Sequence, residues 1–245
     1  MLRSIVTIAV SLFIAGSLAT VLMPPTSSLP PTSSGNRDFF PLAVDNTWTH
    51  EVTFSGGDYH YYMTETVIRD DFPLLEGTWY VVAEEYEPLT DTAPEAKSTV
   101  AYLRKDGFLL RYPWLDSEGD KVWDTNLGEG VERILPRPYT GERSWEIGFQ
   151  TNAWPLEGGQ HVTASASAWI DPVAVQVPAG TFHNCLRVET MTISTVVDPR
   201  QKTTEFHLHF TEWYARGVGL IKAISSEGEG TPVKSVTELL SYTVQ

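Results

Sequence analysis

The stretch EFHLHFTEW, residues 205–213, carries the residue types and spacing with the most obvious chemical potential in this chain. On an extended strand Glu205, His207 and His209 share one face, and Phe206, Leu208 and Phe210 take the other. Two imidazoles at i and i+2 stand ~7 Å apart, close enough to grip one metal ion. A site of that kind needs a third protein ligand, and folding would have to supply it from Glu205, His183 or His161. The same alternation also describes a half-exposed strand that binds nothing. His207 and His209 are therefore weak metal candidates, no cofactor is expected, and a metal-dependent or glycan-directed hydrolase built on the two histidines is the enzymatic alternative.

Other patterns resolve more simply. The acidic run DSEGD, residues 116–120, resembles a calcium loop, but Lys121 stands where an EF-hand needs glycine and the distal bidentate Glu is missing. It reads as a solvated turn. Glu84 and Glu85, with Glu87, offer carboxylates, yet neighbours on a strand point to opposite faces. They read as charged strand-end residues. The sequence contains no Gly-x-Ser-x-Gly elbow, no Gly-x-x-x-x-Gly-Lys loop and no His-Glu-x-x-His pair, and Gly217-Val218-Gly219 lacks the third glycine of a dinucleotide fingerprint. No catalytic residue is assigned. Cys185 is the single cysteine; it cannot form an intrachain disulfide and reads as a small buried hydrophobe. Eight tryptophans include Trp114, Trp123, Trp145 and Trp154 in the irregular middle of the chain, where an indole can stack on a sugar, although most tryptophans are core residues.

A net charge of −14, from 31 acidic against 17 basic residues, with no cationic cluster, argues against nucleic acid as a partner. The N-terminus is different in kind. Residues 5–23 form an uncharged apolar run behind Arg3, which reads as an export signal. The run is close to the ~20 residues that span a bilayer, so a retained membrane anchor is expected, with cleavage after Ser17-Leu18-Ala19 as the alternative. PPTSSLPPTSSG, residues 24–35, is an extended tether because Pro removes donors while Ser and Thr stay solvated. The domain plan is thus 1–23 signal or anchor, 24–37 tether, and 38–245 one antiparallel β domain, with two sheet halves that open alike at PLAVDNTW and PYTGERSW as the alternative to a single unit.

From residue 38 onward aromatic and β-branched residues alternate with polar ones, and no long segment shows a helical period. Tyr59, Tyr61, Met63 and Val67 share one strand face. Residues 78–86 read similarly, and residues 98–112 form a hairpin turned at Asp106-Gly107. Further strands are predicted at 161–170, 172–177, 186–197, 203–214, 219–225 and 236–244. Val177-Pro178-Ala179-Gly180 is a tight turn rather than a catalytic loop. Hairpin-length connections without crossover helices predict a mainly β fold with few short helices, built on an antiparallel, strongly curved sheet.

FFPLAVDNTWTHE, VPAGTFHNCLRVE and EWYARGVGLIKA, in that order, resemble a little-characterised family of bacterial exported and surface-anchored β-domain proteins. Its recurring elements are an FPLxxGNxW opening, a VPAGTF turn and a late YAPGVGLVK strand. Asp45 replaces the usual glycine and Arg216 the usual proline. The resemblance implies a half-barrel or open barrel like those of lipoprotein carriers, on the outer side of the cytoplasmic membrane, and brings no catalytic residues with it. The expected function is a non-enzymatic, membrane-tethered domain that binds an apolar, glycan or protein ligand. A purely structural envelope protein is the remaining alternative.

Overall fold

The computed structural model describes residues 38–56, 59–74, 77–89, 96–115, 131–137, 139, 141–147, 160–197, 203–228 and 230–245. The strands are β1 (Thr47–Phe54), β2 (His60–Leu74), β3 (Gly77–Pro88), β4 (Ala96–Lys105), β5 (Phe108–Leu115), β6 (Glu132–Pro136), β7 (Arg143–Glu146), β8 (Gln160–Asp171), β9 (Val175–Val177), β10 (Gly180–Phe182), β11 (Cys185–Val197), β12 (Thr203–Ala215), β13 (Gly219–Ser226) and β14 (Val233–Thr243). No helix occurs among the described residues. The anchor and tether expected over residues 1–37 lie outside them, as does the acidic run 116–120. No helix among the described residues is long and apolar enough to cross a membrane.

Twelve strands make one sheet in the order β6-β5-β4-β3-β2-β1-β14-β13-β12-β11-β8-β7, every pair antiparallel. The order is nearly sequential because short turns can join only neighbouring antiparallel strands. The first and last strands meet in the middle of the sheet, where β1 pairs with β14. Curvature brings the outer edges together. The Arg133 N–H of β6 donates to the Ile147 carbonyl just past β7 at 3.1 Å, and the Trp145 indole N–H donates to the Arg133 carbonyl at 2.8 Å. The result is a nearly closed barrel, which leaves little unpaired edge.

Turn chemistry follows the residues. Asp106 and Gly107 both hold positive φ, 53° and 77°, as a two-residue type I′ hairpin between β4 and β5 requires. One expected strand is corrected. Residues 172–177 do not add to the sheet, because Pro172 has no N–H to give and the Asp171 carboxylate captures the Val173 N–H at 2.9 Å. Only Val175–Val177 is extended, and it pairs with β10 in a separate hairpin turned at Pro178-Ala179. That hairpin docks where the β1–β14 register slips between Thr49 and His50: the Ala179 N–H donates to the Leu239 carbonyl at 3.0 Å, and Phe182 packs 6.3 Å from the Tyr242 ring.

The main core fills one end of the barrel. The leading segment Asp38–Leu42 runs into it, with Phe39, Phe40 and Leu42 buried. Phe40 packs between Tyr102, Trp48 and Tyr214, ring centroids 5.0, 5.9 and 6.3 Å away. Asp38 latches the segment through Arg104 at 2.9 Å and Arg137 at 2.8 Å. A smaller cluster of Trp79, Val81, Ala101, Tyr112 and Leu115 lies on the other face of β3–β5. Cys185 is fully buried in the main core, and burial raises its thiol pKa to about 11.

Candidate functional site

Beyond this plug the inner faces of five strands change character. Their alternation runs Trp48, His50, Val52 on β1; Met63, Glu65, Val67 on β2; Val82, Glu84, Tyr86 on β3; Leu109, Arg111 on β5; and Phe210, Glu212, Tyr214 on β12. In each run one ionisable residue stands two positions from a residue of the main core, Trp48, Val67, Val82, Leu109 or Tyr214. Cross-strand register stacks them into a ring: Glu65 opposite Glu84, Glu84 opposite Ser98, Tyr102 opposite Arg111, and Arg111 opposite Glu132.

The ring is held by short polar contacts. The Tyr86 hydroxyl and the Ser98 hydroxyl both donate to Glu84 Oε2, at 2.7 and 2.6 Å, and Arg111 Nε donates to Glu132 Oε2 at 2.7 Å. Burial works against the Arg111 cation, but Glu132, with Tyr102 and Glu84, outweighs it and holds the pKa well above its ordinary value. Glu65 is the opposite case. Burial, then the neighbouring Glu84 and Glu212, raise its pKa to about 8 against the pull of Arg111. Glu212 is raised as well, chiefly by burial. His50 is lowered to about 4 by burial; its Nε2 lies 3.1 Å from the Leu220 carbonyl, and its Nδ1 faces Glu65 at 3.5 Å. At neutral pH His50 and Glu65 are thus both predominantly uncharged.

Two features show that the ring is not a closed structural network. Arg111 lies deep among these groups, yet 36% of its side chain is accessible to water; Glu84, Tyr86, Ser98 and Glu212 also retain partial access. The Tyr61 hydroxyl and His50 Nδ1 are buried with no hydrogen-bond partner, each at a cost of ~1–3 kcal/mol if left dry. Above the ring the inner face of β12 continues as Phe210, Leu208 and Phe206, all only partly covered. The inner face thus runs from partly accessible apolar side chains to partly accessible charged ones, while a cleft of about 580 Å³ lies at the plugged end, lined by Phe39, Phe40, Arg104, Leu135 and Arg137 among others.

The residues singled out in the sequence lie elsewhere. Glu205 and His207 are exposed on the outer face, 3.9 Å apart. His209 is next along that face, 4.0 Å from Glu189, in a surface trough of about 510 Å³ shared with Glu146, Ser165 and Met191. His183 is exposed at the corner between β10 and β11. His161 pairs through its backbone with Thr195, and its side chain lies outside the described residues. No three His, Cys, Asp or Glu side chains among the described residues are arranged to hold a metal ion. A second correction concerns Glu84. It is not a strand-end surface charge but a mid-strand lumen residue, whereas Glu85 is exposed and pairs with Lys97 at 2.6 Å. Trp145 spans the barrel seam; Trp123, Trp154 and the Trp114 side chain are outside the described residues.

Sequence reasoning missed Glu65, Arg111, Glu212 and His50. The signal was present: each interrupts a face that is otherwise apolar at period two, and an ionisable residue in core register must find a partner or a water-filled space.

Together these features define a nearly closed antiparallel β barrel, plugged at one end and with a layer of ionisable side chains on its inner face. No protein-family model matches the sequence, and no curated protein matches it. A solved structure of a predicted lipoprotein from Parabacteroides distasonis is similar, with a TM-score of 0.51 and 19% identity over 84% of this chain and 98% of that one. A predicted exported protein from Bacteroides fragilis, described as having a YmcC-like fold, aligns with a TM-score of 0.47 and 13% identity over the same shares of the two chains. The first likeness shows a shared fold.

Proposed function

We propose that this chain is an exported, membrane-tethered, non-enzymatic domain that takes an apolar or amphipathic ligand into its barrel. The observation that carries this reading is the partly uncovered Phe206, Leu208 and Phe210 column leading down to Glu212 and the accessible Arg111. Three half-covered apolar side chains facing inward, rather than outward to solvent, form the kind of concave surface that small-molecule sites use. Export is supported by the signal-like residues 5–23, by the resemblance to exported β-domain proteins, and by the lipoprotein description of the P. distasonis protein.

Full-length protein held in amphipol, titrated calorimetrically with 1-octanol, should show saturable binding near one per chain. Leu208→Arg, which places a long cation in the column, should abolish it. His207→Ala, on the outer face, should leave it intact. Non-saturable uptake indifferent to Leu208→Arg would refute the lumen as the site.

A further inference from the structure

We propose that the ligand carries a positively charged amine head, seated among Glu84, Glu65 and Glu212, with its apolar chain along Phe210, Leu208 and Phe206. The inference rests on the lumen-binding reading above and names the ligand class for that site.

Charge is the first support. Among the described residues, four carboxyl groups of this layer, Glu65, Glu84, Glu132 and Glu212, stand with the Arg111 guanidinium, and Glu132 already engages it at 2.7 Å. Glu84 accepts only from hydroxyls, Glu65 faces the His50 ring at 3.5 Å, and for Glu65 and Glu212 burial outweighs the pull of Arg111. Once Glu65 and Glu212 ionise, a carboxylate or phosphate entering this space would meet net repulsion, whereas an ammonium supplies three donors and the missing charge.

The second support is independent of acidity. The Tyr61 hydroxyl is buried and unpartnered, and its ring adjoins the cluster through Tyr86, whose hydroxyl donates to Glu84 Oε2 at 2.7 Å. Its ring meets Tyr86 edge-on at 5.7 Å. A phenol oxygen can accept from an ammonium, and aromatic faces attract organic cations. A bare divalent metal fits less well, since no three ligating side chains among the described residues converge.

Proton linkage follows from the same geometry. Glu65 is faced by His50 on β1, Glu84 on β3, Tyr102 on β4, Arg111 on β5 and Glu212 on β12, while Glu132 on β6 reaches it only through Arg111. An ammonium placed there favours the ionised forms of Glu65 and Glu212, so binding releases protons near neutrality and strengthens as pH rises toward 9.

The test compares octylamine, 1-octanol and octanoate by calorimetry on the full-length protein in amphipol at pH 6 and pH 8.5. Octylamine should bind at least ten-fold tighter than octanol at pH 8.5, octanoate should bind weakest, and the amine preference should shrink several-fold at pH 6. Glu84→Gln and Glu212→Gln should remove most of that preference, with thermal unfolding showing that each variant is folded. Glu85→Gln, the same change one residue away on the outer face, should do nothing. Octanol binding without amine preference, or a preference equally reduced by Glu85→Gln, would overturn the cation inference and leave the lumen site standing. Absence of saturable octanol binding together with absence of amine binding would overturn both.

Discussion

The two ends of the barrel are built from the same strands and solve opposite problems. At the plugged end, Phe40 fills the space between Trp48, Tyr102 and Tyr214, Trp48 donates to the Val218 carbonyl, and Asp38 holds two arginines, with Arg104 Nε left unpaired. Two residues further along each strand, the side chains become Glu65, Glu84, Arg111 and Glu212, with a buried hydroxyl and a buried imidazole nitrogen left unpaired. A core made only for stability would continue the apolar pattern, because replacing a buried ionic cluster by well-packed apolar residues is often neutral or stabilising. The contrast teaches that one sheet carries an apolar layer that holds the fold together and a polar layer that holds the proposed ligand site.

Breaking the plug should have the largest effect. Phe40→Ala removes a buried ring from the centre of the main core and should cost about 3–5 kcal/mol, a fall of roughly 10 °C or more in Tm for a domain of this size, read by thermal unfolding.

The lumen should respond with the opposite sign. With its pKa raised to about 8, Glu65 keeps its proton in the folded state between about pH 4.5 and 8 while the unfolded chain gives its proton up. Its contribution to stability therefore falls as pH rises through that window and is constant above it. Glu65→Gln should match the native protein at pH 4 and exceed it by about 2–3 kcal/mol at pH 9, the pKa difference discounted for lumen water, in denaturant titrations at the two pH values. His50 acts in the other direction: held near 4, it favours the folded state above about pH 6.5, and that contribution disappears as pH falls through 4.

The latch is intermediate. Asp38→Asn leaves Arg104 and Arg137 without their shared carboxylate and should cost about 1–2 kcal/mol, visible as earlier proteolysis of the leading segment. The smallest effect is expected on the outer face, where His207→Ala should change stability by less than about 0.5 kcal/mol. Stoichiometric zinc in the purified protein, lost in the His207→Ala and His209→Ala double variant, would instead revive the hydrolase alternative.

Much of the fold was legible because period-two alternation and positive-φ turn residues are local properties. The Asp106-Gly107 hairpin and the long strands at 60–74, 185–197 and 203–215 sit within a few residues of their expected bounds. Residues 172–177 escaped because the Asp171 side chain, not strand propensity, decides where the Val173 N–H goes. The site was less legible. His207 and His209 drew notice by their type, but their strand faces them outward; Glu65 and Glu212 look like ordinary strand charges until the barrel closes and gives them an inside. Register across six strands, from β2 round to β6 and across to β12, is a long-range property that no single segment displays.

The central claim, a hollow polar layer above a filled apolar one, can be tested by thiol accessibility. Cys185 is fully buried in the plug with its thiol pKa raised to about 11, so the native protein should scarcely react with a small cationic methanethiosulfonate reagent at pH 8. Phe210→Cys introduces a second thiol on the lumen wall. The account predicts rapid modification of that position, faster with the cationic reagent than with an anionic one and slowed by octylamine; a folded Phe210→Cys variant as inert as the native protein would contradict it.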